Sequence, residues 1–272
     1  MKKRFIVLVD FSEHSANLIQ YAYDWSKLVD AKLLLYHKTT IVSPALADNE
    51  TRHSIAQMIN EKALDKLKTL SKSTLPENAN VQYSVSETNL LLSLQNFLEE
   101  PFEHLIFTGM KGTGFLKKIF LGSTTIQIIE NINNLMVAIP KDISSFSPID
   151  LYVAVSENHP LNILELNRLL NFTGGKSKKI TFFYFAKDNE ETLGMEKQLR
   201  DLTLLFGEKY ITDFEIYQGT DAFEKIKLVI NNKTKELLVI QKGSREWTDQ
   251  LFRKFMINEL VYAGETPLVI LP

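Results

Sequence analysis

Residues 104–139 read HLIFTGMKGTGFLKKIFLGSTTIQIIENINNLMVAI and contain three successive signals of secondary structure. Residues 105–108 and 135–139 are short apolar runs, which are typical of strands buried on both faces. Residues 126–132 between them are predicted to lie on a helix. A strand, a helix and a second strand in this order predict two parallel strands joined by a helical crossover.

The same alternation of strand and helix signals fills the rest of the first 140 residues. Apolar runs at residues 5–9, 33–36 and 81–85 predict three further strands, and residues 90–98 predict a helix. Two more helices are predicted from their apolar faces, which are Leu18, Tyr21, Ala22, Trp25, Leu28 and Val29 for the first and Ile55, Ile59, Ala63, Leu67 and Leu70 for the second. Ser12 is the predicted N-cap of the first of these helices. The order βαβαβαβαβ predicts an α/β fold with an open parallel sheet covered by helices.

The second half of the chain repeats this pattern after a polar segment at residues 141–150. Strands are predicted at residues 151–155, 180–185, 212–217, 237–240 and 268–271, and helices at residues 161–172, 190–206, 222–230 and 252–262. At an offset of 132 residues, VAIP (137–140) aligns with VILP (269–272), and HLIF (104–107) aligns with ELLV (236–239). We therefore predict two copies of one α/β domain, at residues 1–141 and 149–272.

The composition narrows the classes of function. The chain has 272 residues, of which 44% are hydrophobic and 24% charged, as in ordinary globular proteins. A net charge of −2 gives no broad basic field, so no nucleic-acid partner is expected. The absence of cysteine excludes disulfides, thiolate zinc sites and iron–sulfur clusters. The first apolar run is too short for a signal peptide, and no run approaches the roughly 20 residues of a membrane span, so we expect a cytoplasmic protein without a membrane partner.

Three of the four glycines between residues 109 and 122, ahead of the helix predicted at residues 126–132, form a spaced motif. Gly109, Gly112 and Gly122 have the spacing Gly-x2-Gly-x9-Gly, and Ser123 and Thr124 follow directly. Glycine lets the backbone approach phosphate oxygens closely, and the N–H groups at a helix N-terminus favour an anion. The segment therefore predicts a phosphate site at the carboxyl end of the fourth strand.

At this point the sequence resembles the universal stress protein family, whose ATP-binding members carry Gly-x2-Gly-x9-Gly-(Ser/Thr) in the same context. VDFSEHS (9–15) and LLLYHKTT (33–40) are similar to the ends of that family's first and second strands. The resemblance covers residues 4–140 well and residues 150–272 weakly, and two consecutive copies resemble the family's tandem members. It implies two open parallel five-stranded sheets flanked by helices, of the Rossmann-like, adenine nucleotide alpha hydrolase-like type. It also implies bound ATP or AMP, with or without Mg²⁺.

The resemblance also implies which residues contact the nucleotide. Asp10 would contact its adenine or ribose end, with a turn residue that caps the first helix as the alternative role. The backbone at Lys38 and Thr39 would line the adenine pocket, although the family favours valine where this chain has Lys38. The ribose and phosphates would be held by Gly109, Met110 and Gly112, and the distal phosphates by Gly122, Ser123 and Thr124.

The second copy departs from this motif. Gln241, Ser244 and Lys254 stand where the three glycines stand, Phe255 replaces Ser123, and Ser156 corresponds to Asp10. Side chains at the former glycines would fill the space that phosphates need, so we predict one nucleotide site, in the first copy.

Family members commonly pair through their last strands, antiparallel across a two-fold axis. The resemblance therefore implies that residues 135–139 and 268–271 pair within the chain and form an intrachain pseudo-dimer. A further homodimer is left open.

Other functions were weighed against nucleotide binding. The glycine segment contains no acidic residue and no second carboxylate is predicted beside Asp10, so we expect a binding protein rather than an enzyme. Slow ATP hydrolysis, a nucleotide-independent scaffold, and a lipid or metabolite site in the second copy stay open as alternatives. GGKS (174–177) echoes a P-loop but follows a helix, so it is interpreted as a helix C-cap and a basic turn. The five histidines are scattered, and no metal site is expected.

Overall fold

The computed structural model describes residues 1–41, 48–113, 118–120, 123–146, 150–157, 159–186, 190–218, 236–242 and 266–272. The first half contains β1 (Lys2–Leu8), α1 (Ser15–Leu28), β2 (Lys32–Lys38), α2 (Asn49–Thr74), β3 (Val81–Ser86), α3 (Leu90–Leu98), β4 (Phe102–Gly109), β5 (Lys111–Thr113), β6 (Lys118–Phe120), α4 (Ser123–Asn131) and β7 (Met136–Ile139). The second half contains β8 (Asp150–Ala154), α5 (Ile163–Phe172), β9 (Lys179–Phe185), α6 (Leu193–Gly207), β10 (Ile211–Tyr217), β11 (Glu236–Gln241) and β12 (Leu268–Leu271). The helices predicted at residues 222–230 and 252–262 lie outside the described residues.

Ten of these strands form one continuous sheet in the order β10-β9-β8-β11-β12-β7-β4-β1-β2-β3. Within each half the five strands are parallel, as predicted. The implied pairing of the last strands is confirmed, because β7 and β12 pair antiparallel and join the two five-stranded halves edge to edge. Val137 lies opposite Val269 at the centre of this junction, where the apolar ends of both copies cover each other's open edges.

The strand registers of the two halves agree with the offset found in the sequence. In the first half Met136 lies opposite Ile106, and in the second half Leu268 lies opposite Leu238. Both pairs are related by 132 residues, so equivalent positions of the two copies can be compared residue by residue.

The core is continuous across the two halves. Phe172, at the end of α5, packs against Phe5 of β1 with ring centroids 5.8 Å apart. The indole N–H of the buried Trp25 donates to the carbonyl oxygen of Phe172 at 2.7 Å. Gly174 follows α5 with φ +60° and lies against Leu28, which confirms the predicted helix C-cap. The two halves therefore share packing as well as a sheet.

The structure adds one local element that the sequence did not indicate and corrects one local prediction. The added element is the antiparallel pair of β5 and β6 after β4, in which Gly112 lies opposite Ile119. This pairing gives the backbone groups of a long connection hydrogen-bond partners of their own. The N-cap of α1 is His14 rather than Ser12, because the carboxylate of Asp10 organises the turn before the helix.

No helix in the described part of the chain combines the length and the apolar character needed to cross a membrane.

Candidate functional site

A cavity of about 580 Å³ lies at the carboxyl ends of β1, β2 and β4, beside the start of α1. Four of the predicted site residues line it, namely Asp10, Lys38, Gly109 and Met110. They meet because the carboxyl ends of parallel strands share one edge of the sheet, which is where ligands bind in open α/β folds. The fold thus brings these four residues together, and their contact with a nucleotide stays a prediction.

Asp10 orders the turn between β1 and α1. Its Oδ1 accepts hydrogen bonds from the backbone N–H of Ser12 at 3.0 Å and from the hydroxyl of Ser15 at 3.1 Å. Phe11, between them, has φ +58°, a left-handed conformation that is uncommon for a residue other than glycine. A backbone conformation of this kind is typical of functional sites, where the surrounding structure maintains it. Asp10 therefore acts as a turn residue before α1, which was its alternative predicted role, and it also lines the cavity.

A second carboxylate, that of Glu13, lines the same cavity. The prediction that none accompanies Asp10 is therefore wrong, although the two residues are only three positions apart. Glu13 Oε1 lies 3.0 Å from Nε2 of His14, the N-cap residue, whose side chain makes no capping hydrogen bond. The cavity thus combines carboxylates with the amino end of α1.

Gly109 is the residue that keeps the cavity open at β4. A Cβ added there would have Leu18 Cδ2 as its nearest atom beyond the adjacent residues, at 4.0 Å. Leu18 also lines the cavity, so a side chain at position 109 would extend into that space without a clash with the protein. The backbone of Gly109 is not in a left-handed conformation, so its importance lies in the missing side chain.

The first turn of α4 is attached to the end of β4. The hydroxyls of Thr108 and Thr125, both buried, are 3.1 Å apart, and both residues line the cavity. Ser123 and Thr124 begin α4, whereas Gly122 lies outside the described residues. This threonine pair was missed by sequence reasoning, which considered only the glycines and the two residues after them.

The carboxyl end of β2 forms another wall. Lys38 is exposed and lines the cavity, and His37 Nδ1 lies 2.7 Å from the carbonyl oxygen of Val9. Thr39 is not among the lining residues. Its hydroxyl donates to Asn60 Oδ1 at 2.6 Å and its N–H to the carbonyl of Ser86 at 3.0 Å, so its polar groups support β2 instead.

Tyr36 lines the cavity from a buried position on β2. Its hydroxyl donates to Ser93 Oγ at 2.9 Å. Burial raises the pKa of this phenol above its usual value, so the group stays neutral at physiological pH.

The equivalent position in the second half is closed by a side chain. Gln241 stands at the end of β11 where Gly109 ends β4. Its Oε1 accepts the N–H of Asn162 at 2.6 Å, and its Nε2 donates to the carbonyl of Pro160 at 3.2 Å. Ser156, the counterpart of Asp10, is buried, whereas Ser244, Lys254 and Phe255 lie outside the described residues.

A metal site would need several ligating side chains together. Among the described residues, no group of three or more His, Asp or Glu side chains is placed to hold a metal ion.

The chain is an α/β protein with a cavity at the carboxyl ends of its parallel strands. Residues 1–140 match the universal stress protein family, and the chain belongs to that family.

Solved structures share the fold over the whole chain. A universal stress protein from Archaeoglobus fulgidus is 14% identical, with a TM-score of 0.64 and coverage of 100% of this chain and 99% of that one. A functionally unknown protein from Pseudomonas aeruginosa is 12% identical, with a TM-score of 0.56 and coverage of 99% and 92%. The cytoplasmic domain of a prokaryotic cation chloride cotransporter is 12% identical, with a TM-score of 0.52 and coverage of 99% and 95%. At such identities the likeness establishes the fold alone. No curated protein matches the sequence.

Proposed function

We propose that the first half binds an adenine nucleotide, ATP or AMP, in the cavity at the carboxyl ends of β1, β2 and β4, with one site per chain. The observation that carries this proposal is Gly109, whose absent side chain leaves the cavity open at the end of β4. A cavity of about 580 Å³ has the size of a small-molecule site. The phosphates would lie toward the glycine segment and the start of α4, where Gly112, Gly122, Ser123 and Thr124 carry the family motif.

Mg²⁺ fits this arrangement as an accompanying ion. Magnesium in nucleotide sites is bound by one or two carboxylates together with phosphate oxygens. Asp10 and Glu13 would supply carboxylates at the same cavity. The ion would neutralise negative phosphate charge, because Lys38 alone cannot balance the charge of several phosphates.

The chemistry of the lining favours binding over turnover. Phosphoryl transfer needs several positive groups around the transferred phosphate and a positioned nucleophile. Among the described residues that line the cavity, Lys38 is the one lysine and there is no arginine. We therefore propose a cytoplasmic nucleotide-binding protein of the stress response, in which the second half is the closed member of an intrachain pseudo-dimer.

The test is to denature freshly purified protein, identify any released nucleotide and count it per chain, followed by calorimetric titration of the emptied protein with ATP and AMP, with and without Mg²⁺. We expect about one adenine nucleotide per chain. Two per chain would show that the second half also binds, and sustained hydrolysis would make the protein an enzyme. If no nucleotide is released and neither ATP nor AMP gives a heat of binding, the result supports the alternative of a nucleotide-independent scaffold.

A further inference from the structure

A second cavity lies at the opposite edge of the sheet, at the amino ends of β1 and β2. We call it the basal cavity, and its volume is about 440 Å³. The residues that line it include Lys2 and Lys3 of β1, Lys27 in the last turn of α1, and Lys32 at the start of β2. These four lysines come from three successive elements, so the sequence does not display them as one cluster.

The basal cavity is strongly positive in a protein whose net charge is −2. Asp30 is its one acidic residue, against four lysines. Among the described residues, none of the four ammonium groups lies within ion-pair distance of a carboxylate. A concave surface of one charge sign concentrates the field and attracts a ligand of the opposite sign.

Groups other than carboxylates position these lysines. Lys3 Nζ donates to the carbonyl of Asn171 at 2.8 Å, across the junction with the second half. Lys27 Nζ lies 5.9 Å from the ring centroid of Tyr23, and Lys32 Nζ lies 5.3 Å from that of Phe102. An ammonium group has three donors, so each of these contacts leaves hydrogen-bonding capacity for an anion.

Uncharged donors complete the lining. Asn78 and Asn80 bring side-chain amides to the basal cavity from the connection before β3. Amide N–H groups and lysines together are suited to the several oxygens of a phosphate group.

We propose that the basal cavity binds a small anion with two or more phosphate groups. Its volume is in the range of small-molecule sites and too small for a folded partner. Lysines are strong binders of phosphate as point charges, and several unpaired lysines in one concavity favour a polyvalent anion over a monovalent one. The proposal is independent of the nucleotide site, which lies at the other edge of the sheet.

The experiment is calorimetric titration of the full chain with inorganic tripolyphosphate at low ionic strength, in a Gly109→Gln background that blocks the nucleotide cavity. We expect binding of one tripolyphosphate per chain. Lys27→Gln/Lys32→Gln should weaken it about tenfold, which corresponds to the loss of two charge contacts. Lys197→Gln/Lys209→Gln, which removes the same charge from exposed positions of the second half, should leave it unchanged.

Three results would overturn the proposal. One is the absence of binding in the Gly109→Gln background, and another is an equal loss in both double variants, which would indicate a general charge effect. The third is displacement of tripolyphosphate by a single-stranded RNA oligonucleotide that binds more tightly than tripolyphosphate does. That result would assign the surface to nucleic acid. AMP carries a single phosphate group and so lies outside the class of anion proposed for the basal cavity. Because AMP titration of the unmodified chain therefore tests the other cavity, failure of one site is distinguishable from failure of the other.

Discussion

The two halves have the same strand order, yet they differ at the end of the fourth strand. In the first half a cavity lies there, whereas in the described part of the second half a hydrogen-bonded side chain stands at the equivalent position. The first half has Gly109 at this position, and the second has Gln241, whose amide connects Asn162 and Pro160. In the second half the polar groups of the loop are hydrogen-bonded within the protein. In the first half Gly109 carries no side chain and lines the cavity. The residue at the strand end is thus one of the differences between the second half and the proposed nucleotide site of the first half.

The comparison depends on the two halves being one cooperative unit. Phe172 of the second half is buried against Phe5 and Trp25 of the first. We expect Phe172→Ala to lower the free energy of unfolding by about 3–5 kcal/mol, because it removes a large buried aromatic ring. Urea unfolding followed by tryptophan fluorescence and circular dichroism should shift as a single transition. Phe214→Ala, at a partly buried ring on β10 away from the junction, should cost less. Two separate transitions, of which only one shifts, would contradict the shared core.

Placing the side chain of the second half into the first tests the comparison directly. Gly109→Gln should weaken ATP binding at least about 100-fold, or about 2.7 kcal/mol, because the side chain enters the cavity. The free energy of unfolding should change by less than about 1 kcal/mol, since a Cβ at this position meets nothing closer than 4.0 Å. Gly109→Ala should give an intermediate loss in titration calorimetry. If Gly109→Gln binds ATP as tightly as the unmodified chain, Gly109 is not part of the nucleotide site.

The reverse change removes the side chain that closes the second half. Gln241→Ala should cost about 1–3 kcal/mol of stability, because the N–H of Asn162 and the carbonyl of Pro160 lose their partner. Gln57→Ala, which removes an exposed hydrogen bond to Glu61 on α2, should change stability by less than about 0.5 kcal/mol. Nucleotide stoichiometry should stay at one per chain, because Ser244, Lys254 and Phe255 also depart from the motif. A second bound nucleotide would mean that Gln241 alone closes the second half.

The strand pattern and the repeat could be predicted from sequence because they depend on apolar runs and their spacing. The offset given by the alignment of VAIP with VILP agrees with the strand registers, and the strands implied to pair, β7 and β12, do pair antiparallel. Asp10, Lys38, Gly109 and Met110 could be assigned to one cavity because parallel strands end at the same edge. These signals are local in the chain, and the α/β topology brings them together.

The details that sequence did not predict depend on side-chain direction and local turn geometry. The left-handed conformation of Phe11 and the hydrogen bonds of Asp10 shift the start of α1 from the residue after Ser12 to Ser15. Thr39 follows Lys38 but hydrogen-bonds Asn60, since successive residues of an extended chain point in opposite directions. The basal cavity combines residues from separate elements, and no single segment of sequence indicates it.

The smallest effect that we predict is a difference between the two halves in how acid changes the free energy of unfolding. HLIF and ELLV place His104 in the first half where Glu236 stands in the second, and both residues are buried. Burial lowers the pKa of His104 below its usual value, and the charges of Arg4 and Arg168 act in the same direction. In the second half, burial and then the charge of Glu236 raise the pKa of Tyr152 to about 12, far from the physiological range. His104 therefore gives the stability of the first half a dependence on mildly acidic pH.

The sign of that dependence follows from proton binding. The unfolded chain protonates His104 near its usual pKa of about 6.5, whereas the folded chain resists protonation, so the unfolded state binds more protons as the pH falls below this value. The stability associated with the neutral ring is complete above pH 6.5 and decreases as the pH is lowered through that region. His104→Gln should therefore flatten the decrease in unfolding free energy between about pH 7 and 5, measured by urea titration at each pH. His53→Gln, at an exposed histidine of α2, should leave the profile unchanged. If the unfolding free energy decreases equally with falling pH in the unmodified protein and in His104→Gln, other groups cause that decrease. His104 would then not distinguish the two halves in their response to acid.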